Sequence, residues 1–148
     1  MIAVDTNILV YAHRKILPRH GLALAWIKYL AEGNVPWGLP VFCLGEFVRV
    51  VTHPRVLAPP STLDQAWSAL EGLLQSPTFR ILNPGPRYPE LFKEAVRAAD
   101  ARGNVVFDAQ IAAVCREQGV SRLLTADRDF ARFPGIHLIA LEEFPPHA

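Results

Sequence analysis

Little in this chain is long, repeated or strongly charged. Its 148 residues include two cysteines, Cys43 and Cys115, each alone in apolar surroundings, with no Cys-x-x-Cys and no histidine at metal-ligand spacing. No zinc or dithiol motif is present, and both thiols are expected in the core. No apolar stretch approaches the roughly 20 residues that span a bilayer, and no basic segment precedes an apolar run at Met1. The expectation is a cytoplasmic protein without membrane contact. The formal net charge is +1, so there is no general attraction to polyanions, and any nucleic acid must be held by a local patch or by metal. Lysine is scarce, at three residues against twelve arginines. Arginine suits bidentate phosphate contacts, although a genome rich in arginine codons is the simpler explanation. Repeats, low-complexity tracts and linkers are missing, so residues 1–148 read as a single domain.

Familiar catalytic arrangements are missing too. Ser61, Ser68, Ser76 and Ser121 lack a Gly-x-Ser-x-Gly setting, which argues against a serine hydrolase. His13, His20, His53, His137 and His147 are scattered, and no pair of them has a lysine at hand, which argues against a metal-free, histidine-based ribonuclease.

What the chain does have is alternation of short apolar runs with helical patterns. Ile2 to Val4 reads as a buried first strand that stops at Asp5-Thr6-Asn7, before Ile8 to Ala12 turns helical. Helices are expected over His20 to Glu32, over about Val41 to Thr52 until Pro54, and over Leu63 to Leu74. Two more are expected at Tyr88 to Ala101, and at Ala109 to Gln118 with Gly119 as C-cap. Pro36 to Leu39, Phe79 to Leu82, Arg122 to Thr125 and His137 to Leu141 read as strands. Such alternation predicts an α/β fold with a mostly parallel sheet between helical layers, whose sites lie at the carboxyl ends of strands.

Four carboxylates fall where this pattern leaves a buried strand or enters an apolar helix: Asp5, Glu46, Asp108 and Asp127. Acids flanked by core-type residues, such as Val105-Val106-Phe107 before Asp108, need a reason to be there. Brought to within about 6 Å, each ionised pair costs about 3 kcal/mol at an effective dielectric near 20. Protonation relieves that cost, and so does a hard cation with oxygen ligands such as magnesium or manganese. Each acid also has a local explanation. Asp5 and Asp108 suit helix N-caps, Glu46 suits an ion pair with Arg49, and Asp127 with Asp129 suits a capped turn.

The order and surroundings of these acids carry a family signal. Asp5-Thr6-Asn7 after an N-terminal strand, Gly45-Glu46-Phe47 on a helix, Asp108-Ala109-Gln110-Ile111-Ala112-Ala113 and Thr125-Ala126-Asp127-Arg128-Asp129-Phe130 resemble PIN-domain nucleases along the whole chain. More narrowly, Gly45 to Thr52 and Asp129 to Gly135 resemble VapC toxins, the ribonuclease halves of type II toxin–antitoxin pairs. The resemblance implies a single three-layer PIN-like domain and a magnesium-dependent endoribonuclease, with manganese as a substitute. Asp5 and Asp108 would then be the most direct metal ligands, completed by Glu46 and Asp127. Thr6, Asn7 and Thr125 would orient carboxylates or water, and Asp129 would compete with Asp127 for the fourth place. It also implies an RNA substrate, a small cognate antitoxin covering the site, and a homodimer.

Asp127 is favoured as the fourth acid because it follows a strand directly, whereas Asp129 suits the cap of Phe130-Ala131-Arg132. Arg14, Arg49 and Arg128 lie near the motifs and are candidates for phosphate contacts. A housekeeping PIN nuclease is the alternative within the family. A receiver-like domain lacks its adjacent acids and late lysine here. A non-catalytic interaction module would use the helix bearing Trp67, Leu70 and Leu74 as a partner surface.

Overall fold

The computed structural model describes residues 1–146; His147 lies outside the described residues. The chain runs β1 (Ile2–Val4), α1 (Thr6–His13), α2 (His20–Glu32), β2 (Trp37–Pro40), α3 (Phe42–Val51), α4 (Leu63–Leu74), β3 (Phe79–Leu82), α5 (Tyr88–Ala99), α6 (Val105–Glu117), β4 (Arg122–Leu124) and β5 (His137–Ile139). A 3₁₀ turn, Arg128–Arg132, joins the last two strands.

The strands form one five-stranded sheet in the order β3-β2-β1-β4-β5, and every pairing is parallel. All residues of β1 and β2 are buried, as strands must be when helices cover both faces of a parallel sheet. Packing of α1 on α2 and α3, and of α5 on α6, supplies those outer layers. The architecture is a three-layer α/β sandwich. Helix α2 buries Trp26 completely, and its indole Nε1 donates to the Leu141 carbonyl at 2.9 Å. Cys43 and Cys115 are buried free thiols, with both pKa values pushed up, chiefly by burial. They are core residues with little thiolate to offer.

Chain direction across the sheet fixes where a site can form. From β1 the chain steps to β2 and β3 on one side, then returns to place β4 and β5 on the other. The order therefore switches between β1 and β4, and a crevice opens at their carboxyl ends. Asp5 leaves β1 at that point, with its N–H donating to the Leu124 carbonyl of β4 at 3.0 Å.

Helix α6 begins four residues earlier than its apolar pattern suggests. Gly103 takes a left-handed φ of 57°, which only glycine adopts without strain, and the helix starts at Val105 with Asn104 at the N-cap. Asp108 is thus a first-turn residue and not the cap. At the other end Gln118 is the C-cap, and Gly119 follows with φ 70°.

Candidate metal centre

The site grows from the ends of β1 and β4 and the first turn of α6. Asp5 caps α1: its Oδ1 accepts the Thr6 backbone N–H at 2.7 Å. Its Oδ2 accepts the Thr125 hydroxyl at 2.8 Å. Asp5 is 5% exposed, and burial pushes its pKa up to about 6, against the two hydrogen bonds and with the charges of Glu46 and Asp127. The capping explanation of Asp5 is correct as far as it goes, but a cap needs only one of these oxygens.

Thr125 has a second task. Its Oγ1 accepts the Asp127 N–H at 3.0 Å, so one hydroxyl ties the end of β1 to the loop after β4. Asn7 reinforces the tie by accepting the Ala126 N–H on its Oδ1 at 3.4 Å; it orients that loop and not a carboxylate. The Thr6 hydroxyl is buried without a hydrogen-bond partner among the described residues. Its contribution to Asp5 comes from the backbone.

Asp108, Asp127 and Asp129 each bring a carboxylate oxygen within 4.8 Å of the others. Asp129 therefore does not stand apart as a cap. The cap of the 3₁₀ turn is Asp127, whose Oδ1 accepts the Asp129 N–H at 2.9 Å. The cap expected at Asp129 thus falls to Asp127, which also keeps its place beside Asp108. A single loop turns both acids toward Asp108.

Asp108 is half-buried at the N-terminal end of α6, where the helix dipole favours an anion. Even so, its pKa is raised to about 7, first by burial and then by the charges of Asp127, Asp5, Asp129 and Glu46. Burial and clustered carboxyls together hold a proton on Asp108 near neutrality, a combination found at cation-binding and catalytic sites.

Glu46 faces the same cleft from α3, alongside Arg49, with Phe42, Asn104, Phe107 and Gln110 on the remaining walls. The cleft has a volume of about 680 Å³. Glu46 forms no ion pair with Arg49; the ion pairs among the described residues are Arg19–Glu142, Arg102–Asp100 and Arg116–Glu94.

The arginines separate. Arg49 lines the cleft, and Arg128 lies on the far side of Asp127 in a second depression with Arg19. Arg14 is committed elsewhere, donating to the Pro59 carbonyl at 2.6 Å. Sequence reasoning missed Phe42, Asn104 and Gln110 and counted Phe107 as core. The available signal was the direct adjacency of Phe107 to Asp108.

The donor set suits a hard divalent cation. Every charged donor is a carboxylate oxygen, without the sulfur or imidazole that would select a softer ion. Burial first, and then neighbouring carboxylates, push the Asp5 and Asp108 pKa values up, and a bound cation would offset the second of these costs.

The chain is thus an all-parallel α/β sandwich with an acid cluster at its switch point. The chain belongs to the PIN domain family, whose sequence model matches residues 2–136. Relatives within that family include VapC ribonucleases. It is 41% identical over 133 residues to a VapC ribonuclease of Mycobacterium bovis, covering 90% of each protein. It is 32% identical over 139 residues to Ribonuclease VapC31 of Mycobacterium tuberculosis, covering 94% of this chain and 97% of that one.

Solved structures share the fold. VapBC2 of Rickettsia felis, solved on a DNA fragment from its promoter, superposes with a TM-score of 0.69 at 22% identity over 95% of this chain and 98% of that one. Mycobacterium tuberculosis VapC20, described as a sarcin-ricin loop cleaving toxin, gives 0.66 at 22% identity over 92% and 98%.

Proposed function

We propose that this chain is a magnesium-dependent endoribonuclease, with manganese as a substitute metal, and the toxin of a toxin–antitoxin pair acting in the cytoplasm. The observation that carries the chemistry is the approach of Asp108, Asp127 and Asp129 to within 4.8 Å of one another. Behind them stands buried Asp5, and Glu46 faces them across the cleft. The names of the relatives, VapC ribonucleases at 41% and 32% identity, point the same way.

Asp5, Asp108 and Asp127 would hold the ion, with Asp129 and Glu46 completing the shell directly or through water. Bound there, the ion supplies Lewis acidity toward a phosphoryl oxygen and lowers the pKa of water. The protein's own residues do the rest. Thr6 N–H and the Thr125 hydroxyl fix both oxygens of Asp5, and the Thr125 hydroxyl also sets the Asp127 backbone. These bonds hold the acids before substrate arrives. Glu46, across the cleft, accepts the proton of the attacking water. Arg49 meets the phosphate. Attack by water leaves a 5′ phosphate and a 3′ hydroxyl, and no side-chain nucleophile is required.

A toxin needs an inhibitor. Leu63, Trp67 and Leu74 on α4 are exposed, which leaves an apolar stripe for a small antitoxin whose segment reaches over the acids, with the toxin itself a homodimer. Leu70, by contrast, is core. The test of the chemistry is cleavage of structured RNA by metal-stripped protein after return of magnesium or manganese. Undiminished cleavage in EDTA overturns the metal mechanism. For the biological role, expression alone should arrest growth, and co-expression with the adjacent small gene should restore growth and co-purify a stoichiometric partner. Harmless expression of the active enzyme alone would leave a nuclease without a toxin role.

A further inference from the structure

The cleft that holds the acids is not acidic throughout. Phe107 is 59% exposed and lines the cleft immediately beside Asp108, although phenylalanine is among the residues most often buried. The facing aromatic, Phe42, is already engaged: its ring lies 6.0 Å from Tyr88, which stacks on Phe92 at 5.7 Å with planes 20° apart. Phe107 has no aromatic partner among the described residues, so its ring face is free. Three residues earlier, Asn104 occupies the N-cap position of α6 yet makes no capping hydrogen bond with its side chain. Its amide retains a donor and an acceptor for something else in the cleft.

We infer that Phe107 is the stacking platform for the nucleobase next to the scissile phosphate, with Asn104 reading an edge of that base. The inference rests on the ribonuclease reading and deepens it. A phosphate delivered to Asp108 carries its sugar and base along, and Phe107 is the adjoining residue on the same helical turn. Stacking on an exposed aromatic ring needs a base whose face is uncovered, so the substrate is unpaired at the cut. Arg49, on the α3 wall, supplies the complementary charge for the backbone.

The test is steady-state cleavage of a short RNA presented single-stranded and as a full duplex, by wild type and by Phe107→Ala, Phe107→Leu and Phe107→Trp. A 2-aminopurine beside the cut site reports stacking by its fluorescence quench before cleavage. The exposure of Phe107 lets all three variants fold. Alanine and leucine should each raise KM about tenfold with little change in kcat and abolish the quench, tryptophan should restore both, and the duplex should resist cleavage. Leucine matching wild type overturns stacking, because it keeps apolar bulk and lacks a π face. Unchanged KM and quench in Phe107→Ala overturn the inference while RNA cleavage itself stands. A changed sedimentation coefficient with unchanged KM assigns Phe107 to an interface between copies and also overturns it. If wild type cleaves no RNA under any metal, the ribonuclease reading fails and this inference falls with it.

Discussion

The backbone N–H of Asp129 donates to the carboxylate of Asp127 at 2.9 Å, and this bond makes the two acids one unit. It closes the 3₁₀ turn after β4 and directs both side chains toward Asp108. Asking which of the two is the fourth acid therefore misstates the geometry.

Substitution at Asp127 should separate capping from charge. Asparagine caps as well as aspartate, so Asp127→Asn should keep its melting temperature while RNA cleavage at saturating magnesium falls about 10- to 100-fold. Asp127→Ala should lose the same activity and also about 1 kcal/mol of stability in urea unfolding. Asp129→Asn should slow cleavage without costing a cap. Wild-type rates in Asp129→Asn would remove that residue from the site.

Asp108→Asn should abolish cleavage and leave the fold intact or more stable in EDTA. Asp108 caps nothing, because Asn104 holds the N-cap position, and burial and then the charges of four other acids raise its pKa. The substitution removes that repulsion at the cost of a favourable helix-dipole contact of roughly 0.3–1 kcal/mol. Differential scanning calorimetry without metal is the check. A clear fall in melting temperature would mean that the carboxylate is structural.

Stability should depend on pH with a definite sign. Asp5 and Asp108 rise from 3.8 to about 6 and about 7 in the folded protein. As pH increases, the unfolded chain releases these protons first. The metal-free protein should therefore lose stability from about pH 4 through about pH 7 and then level off. Asp108→Asn should gain on wild type across that window. Magnesium should raise the melting temperature more at pH 8 than at pH 5, because the ion competes with protons for the same oxygens. Equal magnesium shifts at both values would argue against binding at these acids.

Thr125→Val should cost both stability and activity. It removes the donor to Asp5 Oδ2 and the acceptor for the Asp127 N–H, and it leaves a buried carboxylate oxygen unsatisfied. The expected loss is about 1–3 kcal/mol, with cleavage reduced as well, whereas Thr125→Ser should retain most of both. Chemical denaturation and RNA cleavage, measured on the same preparations, decide it. Wild-type stability in the valine variant would show that water takes over the bonds.

Much of the architecture is written locally. Helices His20–Glu32 and Leu63–Leu74 follow the apolar period residue for residue, the second opened by a Thr62–Gln65 capping box, because helix limits depend on neighbours within one turn. The motifs around Asp5, Glu46, Asp108 and Asp127 also stand out from the sequence, since an acid between core residues is conspicuous wherever it falls. The early start of α6 was hidden by Val105, Val106 and Phe107, whose apolar run resembles the approach to a site and not the first turn of a helix.

Tertiary structure decided what lies between distant residues. The return of β4 to the free side of β1 brings Thr125 to Asp5, and no local pattern encodes that pairing. The same return joins Asp127 and Asp129 to Asp108; tertiary packing likewise gives Arg14 the Pro59 carbonyl as its partner and leaves Phe107 facing solvent. Propensity, period and caps act over a few residues, so the sequence alone determined most of the elements and the positions of their acids. Which oxygens meet is set by the order of strands in the sheet, a property of the whole chain packed at once.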